Sequence, residues 1–329
     1  MPELKNAKVL ITGGAGFIGS FVVEHLLKEQ AGAIVVLDNF IRGKKENLQN
    51  ALASGRVQVV EGDIRDKETL KKVSAGVDYC YHFAALRISH CAEQPREALE
   101  VMSQGTYNVL TACVQNKIKR VILASTASVY GQADLFPTKE THHPYNNGTF
   151  YGAAKMTDEL MLQSFHQMYQ LPFNILRFFN VYGPRMDAHG KYTEVLIRWF
   201  QALRDGQTPL IHGNGKQTMD FVYVEDIARA CVLALKSDVV NEVFNVASGV
   251  ETSLEELCVL TIDAAKAKAK PQYVSLPKDR QKIEVLRRLA DTAKARDKLG
   301  FEARVDLKDG LASLAQWLEV NRAQGDHRA

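Results

Sequence analysis

No run of about 18 apolar residues occurs in the 329-residue chain, so a membrane-spanning helix is not expected. Nor does a leader-like segment precede the first strand pattern, and a soluble, cytoplasmic protein is expected. Cysteine is sparse and poorly placed for cross-linking. Cys80, Cys91, Cys113, Cys231 and Cys258 are odd in number, widely spaced and without a Cys-x-x-Cys pair, which predicts buried thiols in a reducing compartment. A scattered formal charge of +3 is too small to predict a nucleic-acid partner. His142-His143 invites a metal reading, but no cysteine or carboxylate cluster supports it in the sequence, so the pair is read as loop and no metal is expected.

What the chain does contain is an alternation of strands and helices. Residues 7–12, 34–37, 57–61, 79–83, 121–124 and 173–178 are short apolar runs of the kind found in buried parallel strands. Helical periodicity covers 17–28 and 93–115, and a further helix carries Tyr151. This order predicts an α/β fold with a doubly wound parallel sheet. Residues 180–220 read as loop-rich, punctuated by Gly183-Pro184, Gly206 and Gly213-Asn214-Gly215. Strand and helix return over 221–236, with another core strand near 244–247. Two units are expected: 1–179 with 221–248, and a smaller mixed α/β unit from 180–220 and 249–320, followed by a tail at 321–329.

Tyr151 and Lys155 stand four apart on a helix and therefore share one face. An ammonium beside a phenol favours the phenolate, which predicts a Tyr151 pKa pulled below about 10 and a general base near neutral pH. Gly13, Gly16 and Gly19 form a G-x-x-G-x-x-G turn directly after one strand and directly before a helix. Glycine there lets the backbone approach a pyrophosphate, and the helix N-terminus supplies amide donors. Asp38 closes the second strand, where a carboxylate accepts the ribose hydroxyls of NAD and repels the 2′-phosphate of NADP. Arg42, Lys44 and Lys45 follow closely and leave the phosphate alternative open. Asp63-Ile64 is placed for an adenine edge, with a helix N-cap as the other account of the aspartate. The stretch from Ser125 to Gly131 follows the fifth strand at its carboxyl end, where open α/β sheets bind ligands.

These segments, with His82-Phe83-Ala84-Ala85, the stretch from Arg177 to Arg185, and that from Asp220 to Val224, resemble the extended short-chain dehydrogenase/reductases of the nucleotide-sugar epimerase/dehydratase family, most of all the UDP-glucose 4-epimerase type. The resemblance runs from residue 8 to about 320. It implies a Rossmann sheet with a smaller substrate domain, NAD as a permanently bound cofactor, and a homodimer that takes a UDP-hexose or UDP-uronate. Tyr151 is implied as acid/base, Lys155 as its partner on the nicotinamide ribose, and Thr126 as the catalytic hydroxyl. Gly13, Gly16, Phe17, Ile18 and Gly19 would line the pyrophosphate, Asp38 and Asn39 the adenosine ribose, and Asp63-Ile64 the adenine. Phe83, Ala84 and Ala85 would run along the dinucleotide, and Asn180 would contact the substrate nucleotide. Proton removal at the sugar 4-hydroxyl, a 4-keto sugar, its rotation and its reduction on the other face would complete the cycle. The helices with Tyr107 and Leu110, and with Leu160, Met161 and Phe165, are implied as a dimer interface, with core packing as the alternative.

Departures from the family pattern sharpen the expectation. Its 4,6-dehydratases carry Asp-Glu after the catalytic Thr, and its decarboxylases a Glu; here Ala127 and Ser128 stand there, which favours epimerisation over dehydration, decarboxylation or net reduction. A non-catalytic dinucleotide sensor would not need Thr126, Tyr151 and Lys155 together. Met219 replaces a diphosphate-binding Arg, and a thioether makes no charge-assisted bonds. Arg280, Arg287 and Arg288 are expected to compensate, a solvated helix face being the alternative. Met102 stands where relatives carry Asn. Arg87 and Arg185 are candidates for a uronate carboxylate or for structural ion pairs, and Ser128 for sugar contact.

Overall fold

Strands buried on both faces need apolar side chains on both, and Ile34, Val35, Val36 and Leu37 supply them without interruption. The computed structural model describes residues 4–187, 194–276 and 285–325. Its strands are β1 (Lys8–Thr12), β2 (Ala33–Asp38), β3 (Val57–Glu61), β4 (Tyr79–His82), β5 (Arg120–Thr126), β6 (Phe173–Phe178), β7 (Asn180–Tyr182), β8 (Leu210–His212), β9 (Thr218–Tyr223), β10 (Glu242–Val246), β11 (Glu251–Ser253) and β12 (Gln272–Val274). Seven form one parallel sheet in the order β10-β6-β5-β4-β1-β2-β3. The chain leaves β1 towards β2 on one side and returns at β4 on the other, which opens a crevice at the strands' carboxyl ends. The register sets Thr12 beside Leu37 and His82, so Gly13, Asp38 and Phe83 emerge at that edge together.

Helices cover both faces of the sheet. On one, Val22, Val23 and Leu26 of helix Phe17–Lys28 pack with Ile227, Cys231 and Leu235 of helix Val224–Lys236. On the other, Leu110 of helix Thr106–Gln115 meets Leu162 and Phe165 of helix Phe150–Tyr169. A further apolar cluster joins Leu196, Trp199, Phe200, Ile211, Leu257 and Leu311 beside the small sheets β11-β9-β7 and β12-β8.

Four expectations are corrected or relocated. The helix expected over 93–115 is divided into Ile88–Glu93, Pro95–Ala98, a π-helical turn at Leu99–Gly105 and Thr106–Gln115. Pro95 has no amide to continue the preceding turn. The loop-rich stretch 180–220 contains helix Val195–Arg204, whose Leu196, Ile197, Trp199, Phe200 and Leu203 recur at helical spacing and are buried. Helix Ala293–Leu299, within the segments read as the second unit, sends Ala295 and Leu299 into the first apolar cluster. The expected tail at 321–329 begins inside helix Leu307–Gly325, and 326–329 lie outside the described residues.

Candidate active site

Gly13 has φ +72°, and a Cβ there would lie 2.7 Å from the Ala84 amide nitrogen. A Cβ on Gly19 would approach the Gly13 carbonyl oxygen to 2.4 Å. The turn is thus pressed against the end of β4 with no room for side chains. Gly16 caps helix Phe17–Lys28 without a side-chain bond, which leaves the first-turn amides for an anionic ligand. The buried Asp38 carboxylate accepts the Ala15 and Phe40 amides, each at 2.9 Å, and a Cβ on Gly43 would sit 2.8 Å from both its oxygens. Burial raises the Asp38 pKa against those two amides. Asn39 Nδ2 donates to Asp63 at 3.1 Å, and Arg65 chelates Asp63 at 3.0 and 2.8 Å. The N-cap account of Asp63 is corrected: Asp66 caps helix Lys67–Val73, accepting the Glu68 and Thr69 amides.

The Thr149 hydroxyl accepts the Gly152 amide at 3.1 Å and starts helix Phe150–Tyr169, which sets Tyr151 in its first turn. Lys155, one turn on, is buried, with Nζ donating to the Ala124 carbonyl at 3.1 Å. The Thr126 hydroxyl accepts the Ser128 amide at 3.1 Å, and together with Lys155 it favours the ionised Tyr151 phenol. Behind Lys155, Asp158 is fully buried, with its carboxylate 3.4 Å from Nζ. Burial pushes Asp158 up to about 6, opposed by Lys155 and the Thr106 hydroxyl. The same Thr106 hydroxyl meets His82 Nε2 at 2.9 Å while Thr12 holds Nδ1 at 2.7 Å, and burial takes His82 down to about 3.

Here a sequence expectation fails in sign. Tyr151 is raised above the usual phenol value, because burial outweighs Lys155. The ammonium is shared with Asp158, so its pull on the phenol is weakened.

One cavity of about 880 Å³ brings most of the predicted residues together. Gly13, Gly16, Phe17, Ile18, Gly19, Asp38, Asn39, Asp63, Ile64, Phe83, Ala84 and Ala85 line its cofactor half, and Arg87, Ser128, Tyr151, Lys155 and Arg185 its reactive half. Thr126 and Asn180 are not part of the wall: Thr126 stands behind Tyr151, and Asn180 Nδ2 donates to the Asp220 carbonyl at 2.9 Å. Arg87 pairs with Asp187 at 2.9 Å, and Arg185 with Glu24, so both candidates for a uronate carboxylate sit in ion pairs. Arg280 lies outside the described residues. Arg287 binds Glu251 over the Phe136 ring, which removes it from the expected compensation for Met219. Met219 is itself off the cavity wall, opposite Thr252 in the β9–β11 pair. Trp199, Gln207, Thr208, Leu210 and His212 also line the cavity and carry no motif in the sequence. Only the helical pattern around Trp199 offered a signal for them.

Further positions bear on the sequence expectations. Met102 is buried, and its sulfur accepts the Leu86 amide at 3.2 Å, a bond from a side chain with no charge to offer. Leu110 and Phe165 belong to the core, while Tyr107 and Leu160 are exposed. The loop histidines do acquire a carboxylate: Asp134 reaches His142 at 2.7 Å and His143 at 3.3 Å. Sequence distance hid that neighbour.

Known proteins are similar to this chain. The model of the NAD dependent epimerase/dehydratase family matches residues 9–247. A putative UDP-glucose 4-epimerase of Methanocaldococcus jannaschii is 33% identical over 95% of this chain and 99% of its own. A UDP-N-acetyl-alpha-D-glucosaminuronate decarboxylase of Bacillus cytotoxicus is 31% identical over 94% and 97%. The solved UDP-N-acetylglucosamine 4-epimerase of Methanobrevibacter ruminantium, in complex with UDP-N-acetylmuramic acid, superposes with a TM-score of 0.90 at 32% identity, over 96% of this chain and 99% of that one. The glycine cradle that any Cβ would fill is the structural counterpart of that match. The chain belongs to the NAD-dependent epimerase/dehydratase family, and NAD is its cofactor.

Proposed function

We propose that the protein is a 4-epimerase of a nucleotide-diphosphate sugar, a UDP-hexose or UDP-uronate, working through a transient 4-keto sugar. The observation that carries this reading is the surroundings of the Tyr151 phenol. Lys155 and Thr126 both favour its ionised form, while the loop leaving β5 contributes Ala127, buried, and Ser128. Neither side chain can move a proton at C5 or C6, so this loop is equipped for a hydroxyl–carbonyl exchange and not for loss of water.

The residues divide the work. Tyr151 takes the proton of the sugar 4-hydroxyl and later returns it, and Thr126 orients the phenol. Lys155 stabilises the phenolate and holds the nicotinamide ribose. Gly13, Gly16, Phe17, Ile18 and Gly19 cradle the pyrophosphate, Asp38 and Asn39 hold the adenosine ribose, Asp63 and Ile64 the adenine, and Phe83, Ala84 and Ala85 flank the dinucleotide. NAD, when bound, supplies the oxidising and reducing equivalents of the cycle. Segments 1–179 and 221–248, joined by helix Ala293–Leu299, form the cofactor unit, and the rest of 180–220 and 249–320 the substrate unit. The exposed Tyr107, Leu160 and Tyr169 on neighbouring helices support a homodimer.

The test is to incubate purified protein with UDP-glucose, UDP-N-acetylglucosamine and UDP-glucuronate and follow products by proton NMR and absorbance at the NADH band. Appearance of a C4 epimer with flat absorbance supports the reading. A dehydrated or decarboxylated product, or stoichiometric NADH, refutes it.

A further inference from the structure

Arg288 reaches the reactive end of the cavity, and among the described residues no carboxylate pairs with it. Its backbone N–H donates a hydrogen bond to the Thr218 carbonyl at 2.9 Å, which joins this segment to β9. Its Nη2 stands 3.5 Å from Ser128 Oγ, and its Nε is buried with no hydrogen-bond partner. Among the described residues its electrostatic neighbour is the Tyr151 phenol, not a carboxylate, and burial lowers the guanidinium to about 10. The nearby cations differ: Arg87 has Asp187, Arg185 has Glu24, Arg287 has Glu251, and Arg42 lies in the field of Asp187 and Glu194. A desolvated cation without a counter-ion is costly, and an anion entering the cavity offsets that cost.

Position decides which anion. If Tyr151 addresses the 4-hydroxyl, as the proposed reaction requires, the groups next to C4 are the C3 hydroxyl and the C5 substituent. In a hexose only the C5 substituent can carry charge, as a carboxylate at C6. The diphosphate leaves from C1, on the far side of the ring from Tyr151. We propose that Arg288 is the specificity-determining residue of this site, pairing with a C6 carboxylate, and that the substrate is a nucleotide-diphosphate uronate and not a neutral hexose. This inference rests on the epimerase reading only for the placement of C4. It moves the carboxylate contact from Arg87 and Arg185 to a residue 160 positions from Ser128 in sequence.

The experiment compares UDP-glucuronate, UDP-glucose and UDP alone by isothermal calorimetry, and the two sugars by turnover, for the NAD-loaded wild type, Arg288→Met and Arg288→Lys. UDP-glucuronate is expected to be preferred by the wild type, in affinity and in kcat/KM. Arg288→Met is expected to reduce the UDP-glucuronate to UDP-glucose ratio on the order of thirtyfold, the scale of breaking a buried charge pair. Arg288→Lys, which keeps the charge, should recover part of that ratio. Equal losses for both sugars, a matching loss for UDP alone, or an unchanged ratio would overturn the assignment. Should neither sugar be turned over while the affinity ratio still follows the charge at 288, the epimerase reading fails and the carboxylate contact stands. If C4 epimers form and the ratio does not depend on residue 288, the carboxylate contact fails and the epimerase reading stands.

Discussion

Lys155 Nζ lies 3.4 Å from the carboxylate of Asp158, three residues along the same helix, and both side chains are buried. The cation beside the candidate base therefore carries its own counter-charge. Burial raises Tyr151 above the usual phenol range, and the nearby ammonium offsets only part of that rise.

Replacing Asp158 by Asn frees Lys155 to act on the phenol. The acid limb of the kcat/KM profile is expected to move to lower pH, as a lower Tyr151 pKa requires. A pH–rate series for wild type and Asp158→Asn checks this, and an unmoved limb would show that the pair serves packing alone.

The same pair leaves a signature in stability. Asp158 is raised in the folded state to about 6, above its unfolded value of 3.8, so its contribution is complete below 3.8 and is lost as pH rises through about 6. At about 1.4 kcal/mol per unit, the loss is on the order of 3 kcal/mol. The Tm of Asp158→Asn minus that of wild type should therefore increase between pH 4 and pH 7. Thermal melts across that range measure it, and a constant difference would contradict the linkage.

Tyr151→Phe removes the hydroxyl that moves the proton and keeps the ring. Turnover is expected to fall by about 10²–10⁴-fold. NAD content after purification should remain, since the glycine cradle is untouched. Loss of NAD together with activity would place Tyr151 in cofactor binding instead.

Gly13→Ala meets both a positive φ and the Ala84 backbone. The expected cost is on the order of 1–3 kcal/mol of stability, with release of NAD on gel filtration. A variant that melts with the wild type and keeps its NAD would show that the cradle yields more easily than its geometry indicates.

Local features were readable in the chain; distant pairings were not. The helix expected at 17–28 is Phe17–Lys28, and the strands expected at 57–61 and 173–178 are β3 and β6, because apolar runs and glycine turns act over a few residues. Lys155 and Asp158 were within reach too, being one helical turn apart. Arg87 with Asp187, and Arg288 with Ser128, are joined across 100 and 160 residues, and only the assembled sheet brings them together. Helix Val195–Arg204 was obscured by flanking glycines, although its apolar stripe was present throughout. Asp38 and Gly43 share one turn, but the need for a glycine there comes from the carboxylate's approach, which spacing does not reveal.

Epimerisation in deuterium oxide tests the central claim most directly. If Tyr151 moves only the hydroxyl proton while the C4 hydrogen is carried away and returned, the epimer forms without solvent deuterium at C4 or C5, as read by NMR and mass spectrometry. Deuterium at C5, or a product short of water or CO₂, would contradict the account.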